Sequence, residues 1–314
     1  MTLAETSPRS RRTWKERLLG NPVVLKELRG RMRGARAFVV LTIYLALMGS
    51  FVTLVYVLYA SSVTVMGPSQ GGEIGRVLFA SIVGIELFLV TFIAPAFSAG
   101  SISGERERQT YDLLRTTLLT ARSLVGGKLL ATLSYIFLLL LAAIPLQSVA
   151  FLFGGVTEAE IILSFVILVM TAIMLGTVGV FFSALTRRTL SASVMSYAFA
   201  LFTILVLPVV LVVLGPTFGP AFTFYGPAAS PVLEAVFYYG LGLLVATNPM
   251  ATLLGTLMLL IDRQEVGFFT VTLQSNGSTI PMVSPWVVFV LFSLIVSAVM
   301  FVMAIRRVDR IEEV

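Results

Sequence analysis

Cysteine and histidine are both absent from this 314-residue chain, and only 12% of its residues are charged. Without thiols there is no disulfide, no thiolate nucleophile and no cysteine metal site. Without imidazole there is no histidine acid/base catalysis and no common zinc, copper or haem ligation. Any enzyme chemistry would fall to carboxylates, Lys, Tyr or Ser. The shortage of charge excludes more. Apolar residues make up 57% and mean hydropathy is +0.97, whereas soluble domains hold roughly 45–50% apolar and about 25% charged residues. Uncharged runs exceed the roughly 20 residues that cross a bilayer core, so transmembrane helices are expected.

Six such spans are read: Ala37 to Ala60, Val77 to Phe97, Leu129 to Phe153, Ile161 to Leu185, Ser191 to Leu214 and Trp286 to Ile305. Pro95, Pro145 and Pro208 fall in or near span ends, where packed neighbours satisfy freed carbonyls and bends are expected. Orientation follows the basic residues. Of 22 Lys and Arg, 20 precede the first span, lie in the 98–128 connection, sit at Arg187 and Arg188, or follow the last span; Arg76 and Arg263 fall on the other side. Basic flanks stay cytoplasmic, so both termini and the 98–128 connection are expected there. The net charge of +6 is therefore an orientation signal, and no nucleic-acid partner is expected. The plasma (inner) membrane is the expected location.

Ser10-Arg11-Arg12-Thr13-Trp14-Lys15 superficially resembles a twin-arginine export signal, but charges from Glu16 to Arg33 break the apolar run that such a signal needs. No cleaved segment is expected. Residues 1–20 read as a disordered cytoplasmic N-terminus. Asn21-Pro22 then supplies a helix start, and at about 100° per residue Val24, Leu25, Leu28 and Met32 share one arc, opposite Lys26, Arg29 and Arg33. Residues 21–36 are expected to form an interfacial elbow helix, or merely a basic flank that fixes topology. Residues 37–314 contain no repeat and no dividing linker, and read as one membrane domain.

The outer stretch Gly215 to Pro285 holds two short apolar pieces, Val232 to Ala246 and Ala251 to Ile261, parted by Asn248-Pro249. Their lengths suit re-entrant or interfacial helices, or a pair of tilted short spans. Phe269 to Leu273 and Thr279-Ile280 flank Ser275-Asn276-Gly277-Ser278, which predicts a β-hairpin with a tight turn. Phe222, Phe224, Tyr225, Phe237, Tyr238 and Tyr239 suit a bilayer interface.

Inside the spans, Glu86 stands alone near the middle of the second. A carboxyl there must be protonated, paired or facing a wet cavity. It is a candidate intramembrane polar site on a pathway, or a neutral acid bonded to a group such as Gln147. Ala172, Gly176 and Gly179 line up at close-packing spacing.

In the 98–128 connection, Ser103 can cap a helix whose first turn carries Glu105 and Glu107. Helix is expected from Ser103 to about Leu114, as a docking element for a cytoplasmic partner or as a solvated helix. The run Ser103-Gly104-Glu105-Arg106-Glu107-Arg108-Gln109-Thr110-Tyr111-Asp112-Leu113-Leu114-Arg115-Thr116-Thr117-Leu118, followed by Gly127-Lys128-Leu129, resembles the first cytoplasmic loop of ABC-2 type permeases. Asn21 to Arg29 resembles that family's N-terminal connecting helix, and Thr117 stands where proline is common.

The resemblance implies an all-α integral membrane protein of six transmembrane helices, acting as the permease subunit of an ABC exporter. Two such subunits would meet around a substrate pathway, above two separate ATPase subunits. It makes the 103–114 segment a coupling helix, with Glu105, Arg106, Glu107, Arg108, Tyr111, Asp112, Leu113 and Leu114 docking the ATPase, and Lys26, Arg29 and Arg33 assisting. No G-x-x-x-x-G-K-[ST] occurs in the sequence, so no cofactor is expected on this chain, with ATP and Mg on the partner. Alternatives are a proton-coupled secondary transporter using Glu86 and a membrane scaffold that transports nothing.

Overall fold

The computed structural model describes residues 35–66, 72–110, 120–224, 230–273 and 275–312. The elbow segment, with Lys26, Arg29 and Arg33, lies outside the described residues. Nine helices and two strands are described in chain order: α1 (Ala35–Met66), α2 (Glu73–Ser98), α3 (Ser103–Glu107), α4 (Ala121–Leu152), α5 (Glu158–Leu185), α6 (Thr189–Phe224), α7 (Pro231–Thr247), α8 (Pro249–Arg263), β1 (Phe268–Thr272), β2 (Thr279–Val283) and α9 (Pro285–Glu312). Six helices, α1, α2, α4, α5, α6 and α9, are long and apolar enough to cross a membrane. These are the six spans read from the sequence.

The helices outrun the apolar runs that announce them. α4 starts at Ala121 rather than Leu129, because the Thr120 side chain accepts the Ser123 N–H and caps it there. α5 begins in a full capping box, with Thr157 and Glu160 satisfying each other's backbone N–H groups. α6 has 36 residues, about 54 Å at the usual rise, well beyond the roughly 30 Å hydrocarbon core. α2 and α4 run through Pro95 and Pro145 without ending.

α5 is the centre of the bundle: 67% of its most apolar stretch is buried, against 11% of that of α1. Around it, Phe79, Ile82, Leu87, Ile136, Leu140, Ile167 and Leu168 form the main apolar core. Small residues allow the tight fit. A Cβ on Gly179 would overlap Ser98 Oγ, so α2 and α5 meet almost backbone to backbone there. A second cluster, Ile102, Ala121, Leu124, Val125, Val180, Ala184, Ala304 and Val308, closes the end of the bundle where α9 terminates. That is the terminal end; the hairpin caps the other.

The two short pieces become α7 and α8, bent by 117° at Asn248. Asn248 explains the bend. Its Oδ1 accepts the Ala251 N–H and caps α8, and its Nδ2 donates to Ile204 O of α6 at 2.7 Å. Ala246, Asn248, Thr252 and Leu253 are buried, so the apex is wedged between spans. β1 and β2 pair antiparallel with Phe268 opposite Val283 and Thr272 opposite Thr279. The expected tight turn is wider. Leu273 N–H donates to Ser278 O and Gly277 N–H to Leu273 O, a wider span than a two-residue turn closes. Asn276 Oδ1 draws in the Ser278 N–H and hydroxyl, and Gly277 supplies φ +70°.

Candidate functional site

The terminal end carries the segment that the sequence singles out. After α2, the chain turns at Ala99 to Ile102, and the Ile102 and Ser103 N–H groups both donate to Ser183 Oγ of α5 at 2.9 Å. A helix start leaves such donors without partners along its own chain, and a side chain from another span satisfies them here. Ser103 in turn donates to Ala99 O at 3.0 Å. Its expected side-chain capping role is not seen.

Helix α3 is much shorter than the expected 103–114. It stops at Glu107, since Gln109 adopts φ +56° and the Thr110 N–H turns back to Glu105 O at 3.0 Å. A left-handed residue ends a helix by satisfying its last carbonyls. Tyr111, Asp112, Leu113 and Leu114 lie outside the described residues.

Its three consecutive charged side chains go to three different spans. Successive helical residues point about 100° apart, so neighbours on three sides come within reach. Glu105 forms an ion pair with Lys128 of α4, whose side chain is only 3% exposed. Arg106 Nη1 donates to Ala184 O at 3.0 Å and Thr186 O at 3.2 Å, closing the C-terminal end of α5. Glu107 accepts from the Thr189 N–H at 2.9 Å and the Thr189 hydroxyl at 2.7 Å, a carboxylate cap on the first turn of α6. Arg108, Gln109 and Thr110 are exposed. The sequence gives no warning of Ser183 and Thr189 as partners, beyond their being small hydroxylic residues at span ends.

Glu86, on α2, is wholly buried. Gln147 Nε2 of α4 donates to its Oε2 at 2.6 Å. Among the described residues its Oε1 is buried without a partner, and so is the Tyr44 hydroxyl of α1, which lies within electrostatic reach of the carboxyl. The three side chains gather α1, α2 and α4 around one polar point. Glu86→Ala should therefore strand the Gln147 amide in the core and lower stability by about 1–3 kcal/mol, whereas Glu86→Gln, which keeps the shape, should cost less. Thermal unfolding of the two purified variants checks the order.

At the hairpin end, the two arginines left over by the charge rule each hold a carbonyl. Arg76 Nε donates to Gly155 O and Arg263 Nη1 to Thr270 O, both at 2.6 Å. Glu234 accepts the Ser275 N–H at 3.0 Å, Tyr239 donates to Pro281 O at 2.8 Å, and Trp286 Nε1 to Val266 O at 2.6 Å. These bonds fix the hairpin to α7, α8 and the start of α9. Of the other outer aromatics, Phe222, Phe224 and Tyr225 fall outside the described side chains. Among the described residues no group of three or more acidic residues is placed to hold a metal ion.

No protein-family model matches this chain. No curated protein matches it either. The assignment of function rests on the residues and their geometry.

Proposed function

We propose that this chain is the membrane-spanning permease subunit of an ATP-driven exporter of the ABC-2 type, with the terminal end facing the cytoplasm and ATP hydrolysed on separate subunits docked there. One observation carries the reading most: the segment that resembles the family's first cytoplasmic loop is braced by Glu105, Arg106 and Glu107 against α4, α5 and α6 at once. A displacement of α3 is thereby passed to three spans together. Nucleotide binding could do work on the bundle only to the extent that ATP binds one arrangement of it more tightly than the other.

In this proposal the docking residues divide by role. Glu105, Arg106 and Glu107 are positioning residues that hold α3 in place. Contact with the ATPase falls to exposed Arg108 and, by family resemblance, to Tyr111, Asp112, Leu113 and Leu114, with Lys26, Arg29 and Arg33 as secondary candidates. ATP and Mg belong to the partner. The apolar, exposed faces of α1 and α6 are available to lipid and to a second permease subunit, alike or similar.

The test is co-purification. The intact chain should bring down a P-loop ATPase subunit encoded beside it. Replacing residues 108–114 with a Gly/Ser linker should abolish recovery by tenfold or more, while the membrane body elutes unchanged. Transport by the purified chain in vesicles free of any ATPase would overturn the proposal. Flux of that kind that follows a pH gradient and is lost in Glu86→Gln would point to proton coupling instead.

A further inference from the structure

Helices α7 and α8 and the two strands line an open groove of about 360 Å³ at the hairpin end. Its wall is almost wholly apolar, including Leu241, Val245, Met258, Leu259, Val271 and Met282. Two of the positions that line it are glycines. A Cβ on Gly242 would come 2.9 Å from Met282 Cε, while one on Gly255 would meet nothing closer than Pro285 Cγ at 3.7 Å. An apolar pocket of roughly 150 Å³ accepts a benzene-sized guest, so this one has room for a body of about a dozen heavy atoms. Its methionines can adjust to guests of different shape.

The lining side chains that carry polar groups are Tyr238, Asp262 and Arg263. Arg263 is held to Thr270 O. Asp262 is exposed and, among the described residues, accepts no hydrogen bond and forms no ion pair. The surroundings share its sign. On this side of the spans the sequence places Glu73, Glu158, Glu160, Glu234, Asp262 and Glu265 against only Arg76 and Arg263, a field that concentrates cations. A largely apolar pocket with a small number of polar groups is the usual form of a small-molecule site.

We infer that this groove binds an amphiphilic cation, with the apolar body between α7, α8 and the hairpin and an amine or quaternary ammonium at Asp262. The inference does not depend on the exporter reading. A transporter of any class, or a scaffold, would carry the same pocket.

Three probes with one tail separate the contributions: decyltrimethylammonium, decanol and decyl sulfate, each below its micelle-forming concentration. The chain holds two tryptophans, Trp14 and Trp286. In full-length protein carrying Trp14→Phe, reconstituted in nanodiscs, the remaining Trp286 adjoins Pro285 of the groove wall and reports occupancy by fluorescence. The ammonium should bind saturably and about three- to tenfold more tightly than the sulfate, a span set by one exposed charge pair. Asp262→Asn, a surface change, should bring its affinity down to that of decanol. Gly255→Leu, which sends a side chain into the groove, should weaken the ammonium and decanol about tenfold. Equal affinities for all three heads, or an ammonium affinity unmoved by Asp262→Asn, would overturn the cation site. Non-saturable signals unchanged by Gly255→Leu would mean that the probes only dissolve in the bilayer, and would overturn the pocket itself. If Gly255→Leu does not fold, Val245→Phe narrows the same groove without adding a tryptophan and decides the same point.

Discussion

Gly75→Ala should be among the most damaging single-methyl changes in this protein, while Gly84→Ala, nine positions along the same helix, should be harmless. Gly75 lies in the first turn of α2, where the helix is pressed against the end of α4 and the turn after it. A Cβ there would overlap the carbonyl oxygen of Gly154 and lie 2.9 Å from Ala150 O. Both obstacles are backbone, so no rotamer change relieves them. Gly72 and Gly155 close the same contact from either side with φ of +96° and +82°, values that side chains other than glycine rarely adopt. The turn therefore cannot simply retreat. Overpacking of this kind costs about 1–3 kcal/mol and at times more. A Cβ on Gly84 would have nothing within 4 Å, and alanine gains up to about 1 kcal/mol of helix propensity. Thermal unfolding of the two variants in the same detergent should show Gly75→Ala several degrees below the parent and Gly84→Ala level with it or above. Equal melting points would mean that α2 and the α4–α5 turn are not in contact.

Glu105→Leu should cost on the order of 3 kcal/mol, and the double variant Glu105→Leu with Lys128→Met should recover most of it. The reason is the asymmetry of buried ion pairs. Lys128 is 3% exposed and Glu105 18%, so removing the carboxylate takes an ion-pair partner from an ammonium deep in the terminal-end core. One-sided loss of such a pair costs about 3–5 kcal/mol, while replacing both partners with apolar groups is often neutral. Partial exposure of Glu105 places the expectation at the low end. At about 2.1 cal/mol/K of unfolding entropy per residue, a chain of 314 residues shifts by about 1.5 °C per kcal/mol, and the single variant should melt roughly 4–5 °C early. The double variant also separates stability from coupling. Under the permease reading it should fold well yet transmit less from α3 to α4, lowering the transport obtained per ATP hydrolysed. A single variant as stable as the parent would show that Lys128 does not need this carboxylate.

These two predictions sit at different distances from the sequence. Glycine at 72, 75, 154 and 155 is plain to read, yet nothing local says that the two pairs meet across about 80 positions. Glu105, Arg106 and Glu107 stood out as a charged run, and their partners did not. Lys128 is 23 positions away, Ala184 and Thr186 are 78 and 80, and Thr189 is 82. The expected helix to Leu114 followed from propensity and capping. It missed the stop at Gln109, because a left-handed residue is chosen by where the chain must next go. The sequence offers Gln147 as a partner for Glu86 but does not single out Tyr44, since no helical spacing links it to α2.

By itself the sequence determined six membrane-length helices, the concentration of basic residues at one end, the break at Asn248-Pro249 and the hairpin. Each follows from a local property: an apolar run long enough for a bilayer, a cap, a turn dipeptide. Only the tertiary structure decided that α5 lies at the centre, that the bend at Asn248 is wedged beneath α6, that α3 is braced to three spans, and that a groove opens beneath the hairpin. Those outcomes depend on which faces meet. Apolar faces of similar composition pack with many neighbours, and the choice among them is made by close approaches at Gly75 and Gly179 and by buried polar groups that must find partners.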